Sequence, residues 1–238
     1  MKKIIVAACM AAVLLLTALA GCSSGSSSST AASDASSSTS APADNDKKVL
    51  TIAQGGDITT FDMQNHNNGV TGAVLCNFSH GLVERADEDN AWVCVLAKSY
   101  EMIDDSTWEF KLRDDVTWHN GDPFTAADVK YTYERAATDE SLAENHIFKV
   151  IKEVQIIDDY TVRFATDGPY PTLLSLLSKN GSQVMPSKYI EENGLDYYLE
   201  HPIGCGPYQF KEWVKDNVVV LERYDDYFGG TPYWDEVR

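Results

Sequence analysis

Signals for a strand, a turn and a helix follow one another directly in Trp108-Glu109-Phe110-Lys111-Leu112-Arg113-Asp114-Asp115-Val116-Thr117-Trp118-His119-Asn120-Gly121-Asp122-Pro123-Phe124-Thr125-Ala126-Ala127-Asp128-Val129. Apolar and polar residues alternate at its beginning, which places Trp108, Phe110 and Leu112 on one face of a strand, toward a core. The glycine and proline that follow predict a turn. Thr125 and Asp128 then have the spacing of a capping box, so we expect a helix to begin there.

Paired extended segments on both sides of this stretch predict antiparallel hairpins. In each pair a short polar turn separates two runs rich in β-branched and aromatic residues: 100–103 with 107–112, 154–157 with 161–165, and 208–214 with 218–223. These runs have the composition and alternation of strands, and their spacing is that of hairpins. A further, buried strand is predicted at 49–53, ahead of a Gly-Gly-Asp turn signal.

Helices are predicted between the hairpins. Apolar residues recur at helical spacing over 70–78, and Pro171 precedes a leucine-rich turn at an N1-like position. Ser187 is expected to cap a helix that ends before Gly194. Strands and helices together predict a mixed α/β fold of the α+β kind, without a solenoid repeat.

The N-terminal segment 1–21 has the composition of an export signal. Lys2 and Lys3 precede an apolar run that extends to Ala20 and is shorter than the roughly 20 residues of a membrane-spanning helix. The run ends in Leu19-Ala20-Gly21-Cys22, which resembles the bacterial lipobox. This resemblance implies cleavage before Cys22 and attachment of diacylglycerol to its thiol.

Residues 22–47 are almost wholly small or polar, with a Ser- and Ala-rich composition. Such a segment has no large apolar side chains to offset the entropy lost on ordering, so we expect a flexible tether. The folded part is then 48–238. If Cys22 is lipidated, this part is held on the extracytoplasmic face of the cell membrane, in the periplasm or at the cell surface.

The chain is strongly acidic, with 19 Lys and Arg against 36 Asp and Glu and a net charge of −17. Phosphate-rich partners are repelled by such a charge, which argues against binding of nucleic acid. The same charge favours solubility.

Three cysteines remain in the folded part: Cys76, Cys94 and Cys205. No CxxC pair and no Cys/His cluster has the spacing of a metal site, so neither a metal nor a cofactor is expected. We expect small buried residues, with a Cys76–Cys94 disulfide left open.

Three motifs resemble those of the bacterial extracellular solute-binding proteins of the oligopeptide and dipeptide ABC transporter family, family 5. The stretch 108–129 resembles W-x-F-x-L-R, V-x-F-x-x-G-x-P and T-A-x-D-V in succession, with Trp118 in place of the commoner Phe. Segment 202–208 is similar to P-V-G-T-G-P-Y, with Cys205 in place of Thr, and 227–237 is similar to Y-W-G-x-P-x-L-D-x-V.

The resemblance implies a lobe of the periplasmic-binding-protein type. Members of the family that this chain resembles consist of two lobes that close on a ligand, and the resemblance covers essentially 49–238. We therefore expect an incomplete lobe I, with lobe II absent. The resemblance also implies a function: a substrate-binding lipoprotein that captures peptides or a related small solute and delivers them to the permease subunits of an ABC importer.

A polar loop after the first strand is the predicted solute contact. It contains Gln64, Asn65, His66, Asn67 and Asn68. Open α/β sheets place ligands beyond the carboxyl ends of their strands, and the family resemblance points to the same loop. Amide side chains offer donors and acceptors without charge, which suits a site that must grip and release many peptide backbones.

Other function classes leave weaker traces in the sequence. It has five histidines but no G-x-S-x-G, no H-E-x-x-H and no papain-like motif around a cysteine, so an enzyme is not expected. Because acidic residues are plentiful, a secreted carboxylate-dependent glycoside hydrolase is one alternative. A surface adhesion lipoprotein is the other.

Overall fold

The computed structural model describes residues 47–86 and 91–238. The predicted signal 1–21, the predicted lipidation site Cys22 and the tether up to residue 46 lie outside the described residues. Within the described ranges, no helix combines the length and the apolar character needed to cross a bilayer.

The described residues form short strands and helices in alternating groups. The strands are β1 (Val49–Leu50), β2 (Val83–Arg85), β3 (Trp92–Cys94), β4 (Ala97–Asp104), β5 (Thr107–Leu112), β6 (Ile151–Asp158), β7 (Thr161–Thr166), β8 (Tyr208–Val214), β9 (Val218–Arg223) and β10 (Glu236–Val237). The helices are α1 (Gly69–Phe78), α2 (Ala126–Thr138), α3 (Asn145–Phe148), α4 (Leu173–Leu177), α5 (Ser187–Asn193) and α6 (Leu195–Glu200).

The first sheet has the strand order β1-β10-β9-β8. Strands β8 and β9 form the predicted hairpin, and β10 runs parallel to β1. The prediction of a buried strand over 49–53 is wrong in both length and burial. Strand β1 pairs only through Val49 and Leu50, since its partner β10 is two residues long, and the residues at 51–56 are exposed.

The second sheet has the order β4-β5-β7-β6, with antiparallel neighbours throughout, which confirms the other two hairpins. Its inner face carries the alternating residues of the opening stretch. Phe110 and Leu112 are buried, and Trp108 is paired with Phe164 in the neighbouring strand. Helix α2 covers this face, where the ring of Tyr133 meets Phe164 edge-on at 5.1 Å. The period-2 pattern therefore marks a core, as predicted.

Asp128 organises the beginnings of two helices. Its Oδ2 accepts a hydrogen bond from the amide of Thr125, 2.9 Å away, which confirms the carboxylate half of the predicted capping box. Its Oδ1 accepts from both the amide and the hydroxyl of Ser187, at 2.8 and 2.6 Å. The predicted cap at Ser187 is therefore wrong: Pro186 is the N-cap, and Ser187 is the first residue of α5. Gly194, with φ 91°, ends α5 as predicted.

A tight turn at Gly204-Cys205-Gly206 packs against the end of α1. A Cβ on Gly204 would lie 2.0 Å from the carbonyl oxygen of Phe78, so only glycine fits there. His119 holds the same turn from the other side. Its Nδ1 accepts from the Gly204 amide at 3.0 Å, and its Nε2 donates to the Gly206 carbonyl at 3.1 Å.

The three described cysteines carry free thiols. Cys205 is buried, with its Sγ 3.6 Å from the hydroxyl oxygen of Ser79. The expectation of burial is wrong for Cys76, which lies on the exposed side of α1, and Cys94 is half-buried. Cys76 is exposed because the core side of α1 is taken by Leu75 and Phe78.

Candidate functional site

In the loop predicted to contact solute, the side chains of residues 64–67 alternate between buried and exposed. Gln64 and His66 face inward and are 0% and 3% exposed. Asn65 and Asn67 are exposed, and Asn68 stands half-buried at the beginning of α1. The five residues predicted to contact solute therefore lie in one loop, where Gln64 and His66 point in the opposite direction to Asn65 and Asn67.

The inward side of the loop is fixed to α2 by Arg135. The guanidinium donates to both carboxylate oxygens of Asp62, with Nη1–Oδ1 at 2.9 Å and Nη2–Oδ2 at 2.6 Å. Nη1 also donates to Oε1 of Gln64 at 2.7 Å, and Nε2 of Gln64 donates to the carbonyl of Thr132 at 2.6 Å. Burial disfavours the charge of Arg135, but its bonds to Asp62 outweigh this and raise the pKa of Arg135.

Sequence reasoning missed Arg135. Its position on α2 indicates that it lies next to the buried face of the helix. Thr132, three residues earlier, and Ala136, the next residue, are both buried. A charged residue so close to the buried face of a helix needs a buried partner of opposite charge. The identity of that partner, 73 residues away in Asp62, was not available from helix periodicity.

The far end of the loop is fixed by the first turn of α1. The Oδ1 of Asn68 accepts a hydrogen bond from the amide of Thr71 at 2.8 Å, so Asn68 is the N-cap. This satisfies one of the free amides that every helix start presents. Asn68 therefore contributes to the candidate site chiefly by holding the loop.

The imidazole of His66 is buried, and neither of its ring nitrogens has a side-chain or backbone hydrogen-bond partner within the described part of the chain. Burial lowers the pKa of His66. The nearby backbone of Asn68 and the negative charge of Asp62 raise it by a smaller amount. The ring is therefore neutral at pH 7.

A groove with a volume of about 740 Å³ lies beside α1. Val70 and Val74 of α1 and Leu221 of β9 line it, together with the segment 51–58, of which residues 51–56 are exposed. Asp57 holds this segment in place, because its carboxylate accepts from the indole of Trp213 at 3.1 Å and from a backbone amide of the β8–β9 turn at 2.7 Å. The sequence predicted only a turn at Asp57 and did not indicate the groove.

The exposed side of the loop 64–68 offers uncharged hydrogen-bonding groups. In the described residues, no cluster of His, Cys, Asp or Glu has the geometry of a metal site. Asn65 and Asn67 present carboxamides, each with two donors and an acceptor. Such groups suit binding of polar, uncharged backbone atoms.

Comparison with known proteins gives matches over most of the chain. The profile of the family described as bacterial extracellular solute-binding proteins, family 5 Middle, matches residues 91–238. The glutathione-binding protein GsiB of Pectobacterium atrosepticum is 30% identical over 193 residues, which are 80% of this chain and 37% of GsiB.

Solved structures with the same fold give the same coverage. MoaA from A. tumefacien R10, in complex with mannopinic acid, matches with a TM-score of 0.74 at 29% identity, over 80% of this chain and 40% of MoaA. Helicobacter pylori DppA, in complex with the peptide STSA, matches with a TM-score of 0.72 at 26% identity, over 79% of this chain and 41% of DppA.

The chain thus spans about two fifths of the length of the relatives it matches. These matches confirm the predicted mixed α/β lobe of the periplasmic-binding-protein type, incomplete by comparison with those proteins.

Proposed function

This chain belongs to the bacterial extracellular solute-binding proteins of family 5, and we propose that it captures a peptide or a related small solute for an ABC importer. Two relatives support the solute class, since one is named a glutathione-binding protein and another holds the peptide STSA. The relatives are binding proteins, in agreement with a role other than catalysis. Permease subunits of the importer are the proposed protein partner.

The observation that carries the proposal is the outward pair Asn65 and Asn67. Both carboxamides are exposed, while the residues between and beside them are anchored or buried. A backbone fixed in this way presents the two amides without a large entropy loss on binding. We propose that Asn65 and Asn67 contact the solute directly, and that Gln64, His66 and Asn68 keep the loop in place.

Calorimetry with defined peptides tests this assignment. Glutathione and the tetrapeptide Ser-Thr-Ser-Ala are titrated into the wild type and into the double variant Asn65→Ala/Asn67→Ala. Because each lost hydrogen bond is worth about 0.5–1.5 kcal/mol, we expect the affinity of the double variant to fall about tenfold or more. Gln155→Ala, which removes an exposed carboxamide from β6 in the other sheet, is the matched control. Equal affinities for all three proteins contradict the assignment.

We also propose that the protein is anchored outside the cytoplasm through Cys22. The lipobox-like Leu19-Ala20-Gly21-Cys22 supports this, as does the tether-like composition of 22–47. More than one acyl chain on a cysteine holds a protein to a membrane stably, whereas a single chain does not. Radiolabelled palmitate should label the wild type and leave Cys22→Ser unlabelled. Equal labelling of the two proteins contradicts lipidation at Cys22.

A further inference from the structure

We propose that Arg135 is a positioning residue for solute binding, which sets the orientation of Asn65 and Asn67 without contacting the solute. The inference rests on the proposed function, because it concerns the same loop. Arg135 lies on α2 and only 12% of its side chain is exposed. It therefore offers little surface to a ligand, and its effect must pass through the loop residues that it binds.

The contacts of Arg135 converge on one end of the loop. Its guanidinium bonds both oxygens of Asp62 and the carboxamide oxygen of Gln64, at 2.6 to 2.9 Å. The Asp62 carboxylate in turn accepts from the amide of Gln64 at 3.1 Å. A planar, forked cation matches this set of acceptors, whereas a lysine ammonium is a compact charge without the fixed fork of parallel donors.

The orientation of the loop depends on this anchor because Arg135 binds the turn from which Asn65 and Asn67 follow. The carbonyl of Asp62 accepts from the amide of Asn65 at 3.3 Å, which closes a turn over 62–65. Loss of the bonds from Arg135 to Asp62 and Gln64 frees this turn to rotate, and the side chain of Asn65 rotates with it. His66 has no side-chain hydrogen bond that opposes the rotation, so the segment is held from its two ends, by Arg135 before it and by the Asn68 cap after it.

The anchor also connects the loop to the second sheet. Helix α2 packs against β6 and β7, and the carbonyl of Gln64 accepts from the amide of Glu144, beside α3, at 3.2 Å. The position of the loop is therefore set by a part of the fold that contains none of the proposed solute contacts. Because Arg135 is a single residue of α2, its loss can release the loop while the β-sheets stay paired.

Hydrogen exchange tests the positioning role without any solute. In Arg135→Gln, we expect the amides of Gln64 and Glu144 to exchange about tenfold faster or more, while amides of the β5–β7 pairing keep the wild-type rate. Arg135→Lys keeps the charge and loses the fork, so it should also accelerate exchange at these two amides. It serves as the second variant if Arg135→Gln does not fold. Unchanged exchange at these two amides, or a uniform rise across the fold, overturns the proposal.

The titration of His66 separates positioning from a general loss of stability. With Arg135→Gln, the charge of Asp62 is no longer balanced, so NMR should show His66 titrating at a higher pH than in the wild type. Arg135→Lys retains the balancing charge and should leave the His66 titration closer to that of the wild type. The control Arg163→Gln breaks a different ion pair, between Arg163 and Glu109 on the second sheet. We expect it to change neither the amide exchange of the loop nor the titration of His66. An unchanged His66 titration in Arg135→Gln overturns the proposed geometry.

The affinity measurement completes the test. For each peptide that the wild type binds, we expect Arg135→Gln to weaken binding about tenfold, Arg135→Lys to weaken it less, and Arg163→Gln to leave it unchanged. Accelerated exchange with unchanged affinity overturns the positioning role. If the wild type binds none of the peptides, the proposed function fails, and the exchange and titration results still decide whether Arg135 positions the loop.

Discussion

Acid should destabilise this protein through His119, and replacing His119 with Gln should remove the effect. The imidazole is packed between the rings of Phe78 and Tyr224, with centroid distances of 5.3 and 4.8 Å. Burial lowers the pKa of His119 to about 4, although its bond to the Gly206 carbonyl acts in the opposite direction. One ring nitrogen must remain unprotonated to accept from the Gly204 amide, so protonation breaks the contact that holds the turn.

The size of this loss of stability follows from the difference between the pKa of His119 in the folded state and its pKa in the unfolded state. An unfolded histidine has a pKa of about 6.5, so the unfolded state takes up the proton first as the pH falls. The stabilisation by neutral His119 is complete above about pH 6.5 and is lost as the pH falls toward 4, for a total of about 3 kcal/mol. This is a large fraction of the roughly 5–15 kcal/mol that stabilises a typical domain.

Urea unfolding followed by tryptophan fluorescence measures the effect between pH 7 and 4.5. A Gln at 119 offers an acceptor and a donor like those of the neutral ring, so we expect His119→Gln to lose only about 1 kcal/mol at pH 7. On acidification the wild type should then lose about 2–3 kcal/mol more than the variant. The exposed His201 provides the control His201→Gln. A difference between wild type and His119→Gln that does not change with pH refutes the argument, since the other titrating groups are common to both proteins.

Two further predictions concern stability. Gly204→Ala should lower the free energy of unfolding by about 3 kcal/mol or prevent folding, because its Cβ would lie 2.0 Å from the Phe78 carbonyl oxygen. The control is Gly55→Ala, whose Cβ meets no atom within 4 Å. Thermal unfolding should show that Gly55→Ala changes the free energy of unfolding by less than about 0.5 kcal/mol. Burial opposes the charge of Glu236, but hydrogen bonds from three surrounding cationic side chains lower the pKa of Glu236 to about 2. The stabilisation is therefore present above about pH 4.5 and lost toward pH 2. In urea unfolding, Glu236→Gln should differ most from the wild type at neutral pH, and a difference that is as large at pH 2.5 as at pH 7 contradicts this.

Local patterns in the sequence predicted the hairpins well because a hairpin brings together residues that are neighbours along the chain. The segments predicted at 208–214 and 218–223 coincide with β8 and β9. The strand predicted at 49–53 failed for the opposite reason. Its length is set by β10, whose residues Glu236 and Val237 lie almost at the other end of the described chain, and no local pattern carries that information.

The candidate site was predicted as a segment but not as a geometry. Composition and position after the first strand indicated the polar loop, and the structure keeps its residues together. The orientation of each side chain depends on partners that are distant in sequence. Gln64 turns inward because Thr132 and Arg135 satisfy its carboxamide, and Asn67 remains exposed. Sequence periodicity cannot separate these two residues, since both are polar amides.

The residues of the family-like signature 108–129 make contacts that hold the fold together, not contacts in the candidate site. Asp128 joins the starts of α2 and α5, and His119 holds the glycine turn that precedes β8. The departure from Phe at Trp118 adds a bond of the same kind, because its indole nitrogen donates to Asp128 at 3.3 Å. The exposed amides of the loop at Asn65 and Asn67 lie outside that signature. The solute contacts that we propose at the loop therefore lie apart from the signature and from the bonds with which the signature holds the fold.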